Sequence, residues 1–395
     1  MNYNKKALAL HKKLAGKTVI SSKIPLRSKG ILSTIYTPGV GAVSSAISQD
    51  KNLVWELTGR GNTVAVITDG TAVLGLGNIG PEAALPVMEG KSVLFAELGG
   101  VNAYPLCLNS PTSTEVVRAV KAIAPSFGGI NLEDIAAPAC FEVEENLSKL
   151  GIPVFHDDQD GTAIIVLAAL VNAVKVLGKK LGDLRVVIMG AGAAGSATAW
   201  LLSGREKWHP EKKIPNLFFE PPKDIILVDS KGIIGKNRSD LTPWKKSLSD
   251  ASNQEGRRGG IEKALKGFDV FIGLSSGGQI TAKMVRLMNK EPIIFALANP
   301  LPEIMPDEAK KAGAAIVATG RSDFPNQINN ALVFPGFFRG LLDSRAKKVT
   351  TRMKLAAALA LIQSVKPTKN KILPDVLDKK VHRAVAEAVK KAATE

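Results

Sequence analysis

The sequence predicts an α/β protein: an N-terminal α/β domain, a Rossmann-like doubly wound parallel-sheet domain for a dinucleotide, and a helical C-terminal segment. Three observations predict it. The apolar run 186–188, flanked by Arg185 and Met189, leads into Gly190-Ala191-Gly192-Ala193-Ala194-Gly195 and then an alanine-rich helix pattern. Farther on, apolar runs at 268–276, 292–300 and 314–320 alternate with helical matter, as parallel sheets require. Upstream, two short apolar runs each end in an acid pair, Glu133-Asp134 and Asp157-Asp158. The expected divisions are residues 1–159, 160–345 and 346–395.

Residues 1–30 read as a helix stopped at Gly16, then a basic loop. Thr37-Pro38-Gly39 marks a turn, so Tyr36 sits just before a fixed loop; a tyrosine there packs by default. A short helix and the strand TVAVIT follow. Gly75-x-Gly77-x-x-Gly80 matches a dinucleotide loop only on paper, because Pro86 interrupts the helix that should follow. Lys91 opens the apolar run SVLFAEL, read as a buried strand; a lysine at its edge either snorkels or works.

Between 104 and 150 strand and helix alternate, with Ser and Thr caps near 113 and a helix begun by Pro138. The two acid pairs stand 24 residues apart (134 to 158). If their strands are neighbours in a parallel sheet, both pairs lie on the edge where open α/β sheets hold ligands. The apolar pattern 162–174 is too short to span a bilayer and contains Asn172, so it reads as a buried helix between layers.

In the second unit, the glycines allow a tight turn and close backbone approach, and the helix N-terminus offers N–H groups to a pyrophosphate. The next strand ends at Asp229, the candidate for the adenosine ribose hydroxyls. A Pro- and Lys-rich insertion delays it, and Ser230 and Lys231 beside it suit a 2′-phosphate, so NAD and NADP both remain open. Asn299 stands at a strand end, and the pair Asn329/Asn330 comes before a proline–glycine turn. From about Asp343 the chain reads as a helix, a Lys-Pro linker at 366–374 and a basic amphipathic helix.

Composition narrows the function. The chain has 395 residues, 45% of them hydrophobic, and 52 basic against 36 acidic side chains give +16. That charge suits anions, but three Tyr and four Trp, with no zinc-finger spacing, argue against a nucleic-acid binder. Two cysteines without a CxxC indicate a reducing, cytoplasmic setting, and no signal peptide or membrane association is expected.

In order, YTPGV (36–40), TDGTAVLGLGNIG (68–80), MEGK (88–91), INLEDI (130–135), PVFHDDQDGTA (153–163), GAGAAG (190–195), FALANP (295–300) and QINNALVFPG (327–336) resemble the malic enzyme family in its short prokaryotic form. The resemblance implies conversion of L-malate to pyruvate and carbon dioxide with NAD or NADP and Mg²⁺ or Mn²⁺, in a homodimer or higher homo-oligomer. The alternatives are a malolactic-type lyase and a non-catalytic, basic nucleotide-binding protein. By the same resemblance Glu133, Asp134 and Asp158 bind the metal, Lys91 is the general base oriented by Asp157, and Tyr36 is the acid. Asn299 and one of Asn329 and Asn330 bond the substrate or the nicotinamide ribose. Lys91 must fall from its usual pKa of about 10.4 to act as a base.

Two departures stand out. The family's larger members carry an arginine in DG-x-R, where this chain has Ala72; Thr71, backbone amides or another cation must replace it. Short members often read DDQHGT, where this chain has Asp160.

Overall fold

The structure, a computed structural model, describes residues 3–110, 112–207 and 209–394, with residue 74 described by its backbone alone. Helices α1 (Tyr3–Leu14), α2 (Lys29–Ile35) and α3 (Val40–Gln49) bury no side chain. A short α4 (Val54–Leu57) leads into β1 (Thr63–Thr68). Then come α5 (Pro81–Gly99), β2 (Asn102–Cys107), α6 (Ser113–Ile123), β3 (Gly129–Leu132), α7 (Ala139–Leu147) and β4 (Val154–His156). The four strands form one parallel sheet in the order β2-β1-β3-β4. The two strands that end in acid pairs are therefore neighbours.

Two readings of this region are corrected. Lys91 lies inside helix α5, not at a strand edge, and Pro86 does not interrupt that helix. The run SVLFAEL fits strand or helix by itself. What decides is the stripe Ala84, Met88, Ser92, Phe95 and Gly99, spaced by three or four and buried along one face. Packing of that face outweighs the hydrogen bond lost at Pro86, which lies on the exposed side.

A five-residue π-helical turn, Asp157–Gly161, joins β4 to α8 (Thr162–Val176). Asp157–Val176 is apolar and long enough to cross a membrane by length alone, yet it is mostly buried inside the protein, as a core helix is. The second sheet comprises β5 (Arg185–Met189), β8 (Asp224–Asp229), β9 (Gly232–Ile233), β10 (Val270–Gly273), β11 (Ile293–Ala296) and β12 (Ile316–Thr319). Its order is β12-β11-β10-β5-β8-β9, parallel except for the β9 edge. Helix α9 (Ala193–Leu202) follows the glycine loop. The expected insertion is a hairpin, β6 (Arg205–Glu206) with β7 (His209–Lys213). Short helices α10 (Pro243–Ala251), α11 (Ile261–Leu265), α12 (Ala282–Val285) and α13 (Pro306–Lys311) carry the crossovers.

The last helices are α14 (Phe334–Asp343), α15 (Thr351–Gln363) and α16 (Lys379–Thr394). Pro335-Gly336 is not the expected turn but the first turn of α14. A side chain at Gly336 or Gly340 would strike the His382 or Ala386 carbonyl of α16, so these glycines let the helices approach. Phe334, Phe337 and Phe338 on α14 pack against Phe95 and Phe155, tying the helix to the first sheet. One continuous apolar core thus runs from β1 and α5 through α8 and α14 to β5 and β8.

The segment 366–374 is docked rather than a loose linker. The fully buried Asn172 of α8 donates to the Ile372 carbonyl at 2.9 Å, and Ile372 is itself buried. Asn172→Ala strands that carbonyl, so it should cost about 1–3 kcal/mol. Thermal unfolding should show a drop of a few degrees in Tm; an unchanged Tm would show that this bond contributes nothing.

Candidate active site

Both sheets present a topological switch point, β1/β3 in the first and β5/β10 in the second, and ligands bind at such points. Between the sheets lies a cleft of about 1090 Å³. Of the residues expected at a site, Lys91, Glu133, Asp134, Asp158, Gly192, Ala193, Ala194, Asn299, Asn329 and Asn330 line it. Asp157, Gly190, Gly195, Asp229 and Tyr36 are not in its wall. A second cavity of about 1110 Å³, by α15, holds none of the expected residues.

The acids meet because β3 and β4 pair in parallel. Glu133, Asp134 and Asp158 bring one carboxylate oxygen each to within 4.8 Å of one another. Asp134 adopts φ +51°, left-handed for a non-glycine residue, and its N–H donates to Asp158 Oδ2 at 2.7 Å. Its carbonyl accepts from Ala72 N–H at 2.9 Å, which ties the ends of β1 and β3 together. Three convergent carboxylates without imidazole or thiol are a hard oxygen set, fit for Mg²⁺ or Mn²⁺.

Lys91 reaches in from α5. Its ammonium pairs with Asp157, lies 2.9 Å from Glu133 Oε1, and sits 4.5 Å from the centre of the Phe334 ring. Burial by itself would lower Lys91, but Asp157, then Glu133 and Asp158, outweigh it and hold its pKa above the usual lysine value. These acids favour the protonated form of Lys91. Burial first, and then Asp157, Asp158 and Asp134, raise Glu133 against the pull of Lys91. Three carboxylates this close together, with Glu133 raised by burial and by its neighbours, make a place where a cation is stabilised. Gly161 leaves room for Asp157, because a side chain there would overlap its carboxylate.

On the opposite wall, the glycine loop follows β5. A side chain at Gly195 would overlap the Gly190 carbonyl, and one at Gly190 the Leu274 carbonyl beyond β10. Ala193 and Ala194 open α9 at the cleft. Asp229 lies outside the cleft and is already engaged. It accepts from Lys231 N–H at 2.9 Å, Arg238 at 2.7 Å and Lys245 at 2.6 Å, with its side chain only 5% exposed. Burial works against that carboxylate, but Arg238 and Lys245 prevail and hold its pKa below the usual value.

Tyr36 caps α2 on the surface, 67% exposed. Thr71 is occupied: its hydroxyl donates to Asp69 at 2.6 Å and accepts from Ala136 N–H at 2.8 Å. Asn329 Oδ1 accepts from Ala331 N–H at 2.8 Å. Sequence reasoning missed Lys17 and Ser275, which also line the cleft, and Lys207 and Lys354, which reach the π-turn from behind. Lys17 lies in an irregular basic stretch with no motif. Lys207 and Lys354 lie on elements whose docking no local pattern announces.

Comparison with known proteins finds two matching family models. Residues 15–116 match the family model described as the N-terminal domain of malic enzyme, and residues 159–394 that of the malic enzyme NAD binding domain. The chain is 49% identical over 400 residues to a bifunctional malic/malolactic enzyme of Bacillus subtilis, covering all of this chain and 94% of that one. It is 48% identical over 354 residues to an NADP-dependent malic enzyme of Rhizobium meliloti, covering 89% of this chain and 44% of that longer one. The crystal structure of an NAD-dependent malic enzyme from Thermotoga maritima superposes with a TM-score of 0.90 at 44% identity, over 97% of this chain and 98% of that one.

Behind the acids, burial would raise Glu144, but Lys207 at 2.6 Å and then Lys354 bring its pKa down to about 2. The unfolded value is about 4.3, so the folded value is the lower one. Its contribution is complete above about pH 4.3 and fades as pH falls toward 2. Glu144→Gln should therefore start less stable near neutral pH, with the gap to wild type closing on acidification. Urea midpoints across that range test this; a gap independent of pH would refute it.

Proposed function

This chain belongs to the malic enzyme family, and we propose that it oxidatively decarboxylates L-malate to pyruvate and carbon dioxide with NADP⁺ as hydride acceptor. One observation carries the reading: a half-buried lysine, three convergent carboxylates and the start of a dinucleotide-type helix face one cleft. Glu133, Asp134 and Asp158 would hold Mg²⁺ or Mn²⁺, and Gly190, Gly192, Ala193, Ala194 and Gly195 the pyrophosphate. When bound, the cation polarises the substrate oxygens and the nicotinamide takes the hydride.

Lys91 accepts the malate hydroxyl proton at Nζ, and Asp157 orients it. It needs the negative charge around it compensated first, since those acids favour its protonated form. Asn299, Asn329 and Asn330 bond substrate or nicotinamide ribose. Lys17, a cation in the cleft wall, replaces the arginine that Ala72 lacks. Tyr36 returns a proton to the enol carbon after decarboxylation. Because it lies outside its own cleft, a second copy of the chain supplies it, in a homodimer. What supports the dimer is the N-terminal segment, where α1–α3 bury nothing and Val19 and Ile20 are 89% and 82% exposed.

Preference for NADP⁺ rests on Asp229. Discrimination in favour of NAD⁺ needs a free carboxylate to accept the ribose hydroxyls. Here Lys231 N–H, Arg238 and Lys245 fill most of its acceptor positions, and Lys231, Arg238 and Lys245 outnumber Asp229 and Asp240. A surplus of cations favours a 2′-phosphate.

Malate and Mn²⁺ with either NAD⁺ or NADP⁺ test the function. Reduced nicotinamide and pyruvate should appear together, with kcat/KM about tenfold or more higher for NADP⁺, roughly 1.4 kcal/mol. Lactate without reduced cofactor would instead establish the malolactic reaction, which the Bacillus subtilis relative's name brings into view. A tenfold preference for NAD⁺ would overturn the assignment of Asp229. Lys91→Ala should slow malate oxidation by about 10²–10⁴-fold while decarboxylation of supplied oxaloacetate partly survives. Equal loss of both would remove Lys91 from the base role.

A further inference from the structure

The π-turn Asp157–Gly161 carries four consecutive polar side chains, and each is gripped from a different element. Asp157 meets Lys91 of α5. Asp158 accepts from the Asp134 N–H that follows β3. Gln159 Oε1 accepts from Lys207, in the turn of the β6–β7 hairpin, at 2.7 Å, and Lys207 also pairs with Glu144 of α7 at 2.6 Å. Asp160 Oδ1 accepts from Lys354 of α15 at 2.6 Å. Asp157, Gln159 and Asp160 are at most 3% exposed, so the turn is fixed inside the protein.

We propose that Lys207 and Lys354 are positioning residues for Asp158, holding the acid-bearing turn by its two remaining side chains. The proposal rests on reading Glu133, Asp134 and Asp158 as a cation site. Neither lysine lines the cleft, so neither touches substrate. They act through the turn in two ways. They fix the register of Gln159 and Asp160, and therefore the direction in which Asp158 projects between them and Asp157. They also neutralise the buried Asp160 and the half-buried Glu144, two acids that would otherwise crowd the cation-holding set from behind. Asp160, the departure from the family's usual histidine, is thereby assigned a partner. Helix α15 and the inserted hairpin become parts of the support for the site rather than appendages.

The test is Mn²⁺ affinity of the full chain without substrate, read by the EPR signal of free Mn²⁺. Lys354→Met should weaken Mn²⁺ binding by about 10–100-fold, the usual effect of losing a residue that orients a ligand. Affinity for whichever of NAD⁺ and NADP⁺ the wild type binds should stay within about twofold, since α9 and the glycine loop are untouched. Lys354→Arg should restore most of the Mn²⁺ affinity. The double variant Asp160→Asn/Lys354→Met removes any unpaired buried charge, so it folds without that penalty, yet it should still bind Mn²⁺ weakly. Wild-type Mn²⁺ affinity in the double variant would overturn the proposal, as would joint loss of Mn²⁺ and nicotinamide binding. A wild-type chain that binds no Mn²⁺, or an Asp158→Ala variant that binds it as well as wild type, would sink the cation reading itself and this proposal with it.

Discussion

A half-buried ammonium held between two buried carboxylates is the constraint that the rest of the structure obeys. Lys91 and Asp157 cannot be separated cheaply: leaving one partner of such a pair unpaired costs about 3–5 kcal/mol. Their contact requires α5, which packs on β1 and β2, to bring Lys91 to the acids that follow β3 and β4. It requires Gly161, so that the Asp157 carboxylate has room. It also requires Phe334 beneath the ammonium, which brings α14 from the far end of the chain into the first sheet's core. The pair orients a lysine, and the neighbouring acids set how readily it gives up its proton.

Acids dominate the centre, and cations drawn from several elements hold them. Lys91, Lys207 and Lys354 come from a helix, a hairpin and the C-terminal segment, and they converge on one five-residue turn and its neighbour Glu144. Outside the cleft, at the end of β8, Arg238 and Lys245 do the same for Asp229. Part of the basic surplus thus lies inside, paired with acids at and near strand ends. Steric closeness joins the two sheets as firmly as charge does. A side chain at Gly75 would overlap the Asn299 carbonyl, and one at Gly99 would press on the Pro335 backbone. Gly75 and Gly77, which imitate a dinucleotide loop in the sequence, in fact belong to a turn packed against the second sheet's Asn299.

The sequence by itself determined the parts whose physics is local. The glycine loop is legible because a strand, three glycines at fixed spacing and an alanine-rich helix all lie within 18 residues, 185–202. The strand-plus-acid units are legible because an acid ends each apolar run. The buried character of α8 follows from its composition. Only the tertiary structure decided the rest. SVLFAEL became helix because its stripe from Ala84 to Gly99 had a core to face, and the same glycines and prolines that signal turns became helix starts and close contacts in α14. Lys17, Lys207 and Lys354 could not be found by pattern, since a lysine on a surface and a lysine gripping a buried acid look alike in a sequence. The meaning of Asp160 and Asp229 was likewise undecided until their partners, 194 and 9 to 16 residues away, were known. Ion pairing acts through space, and distance along the chain carries no trace of it.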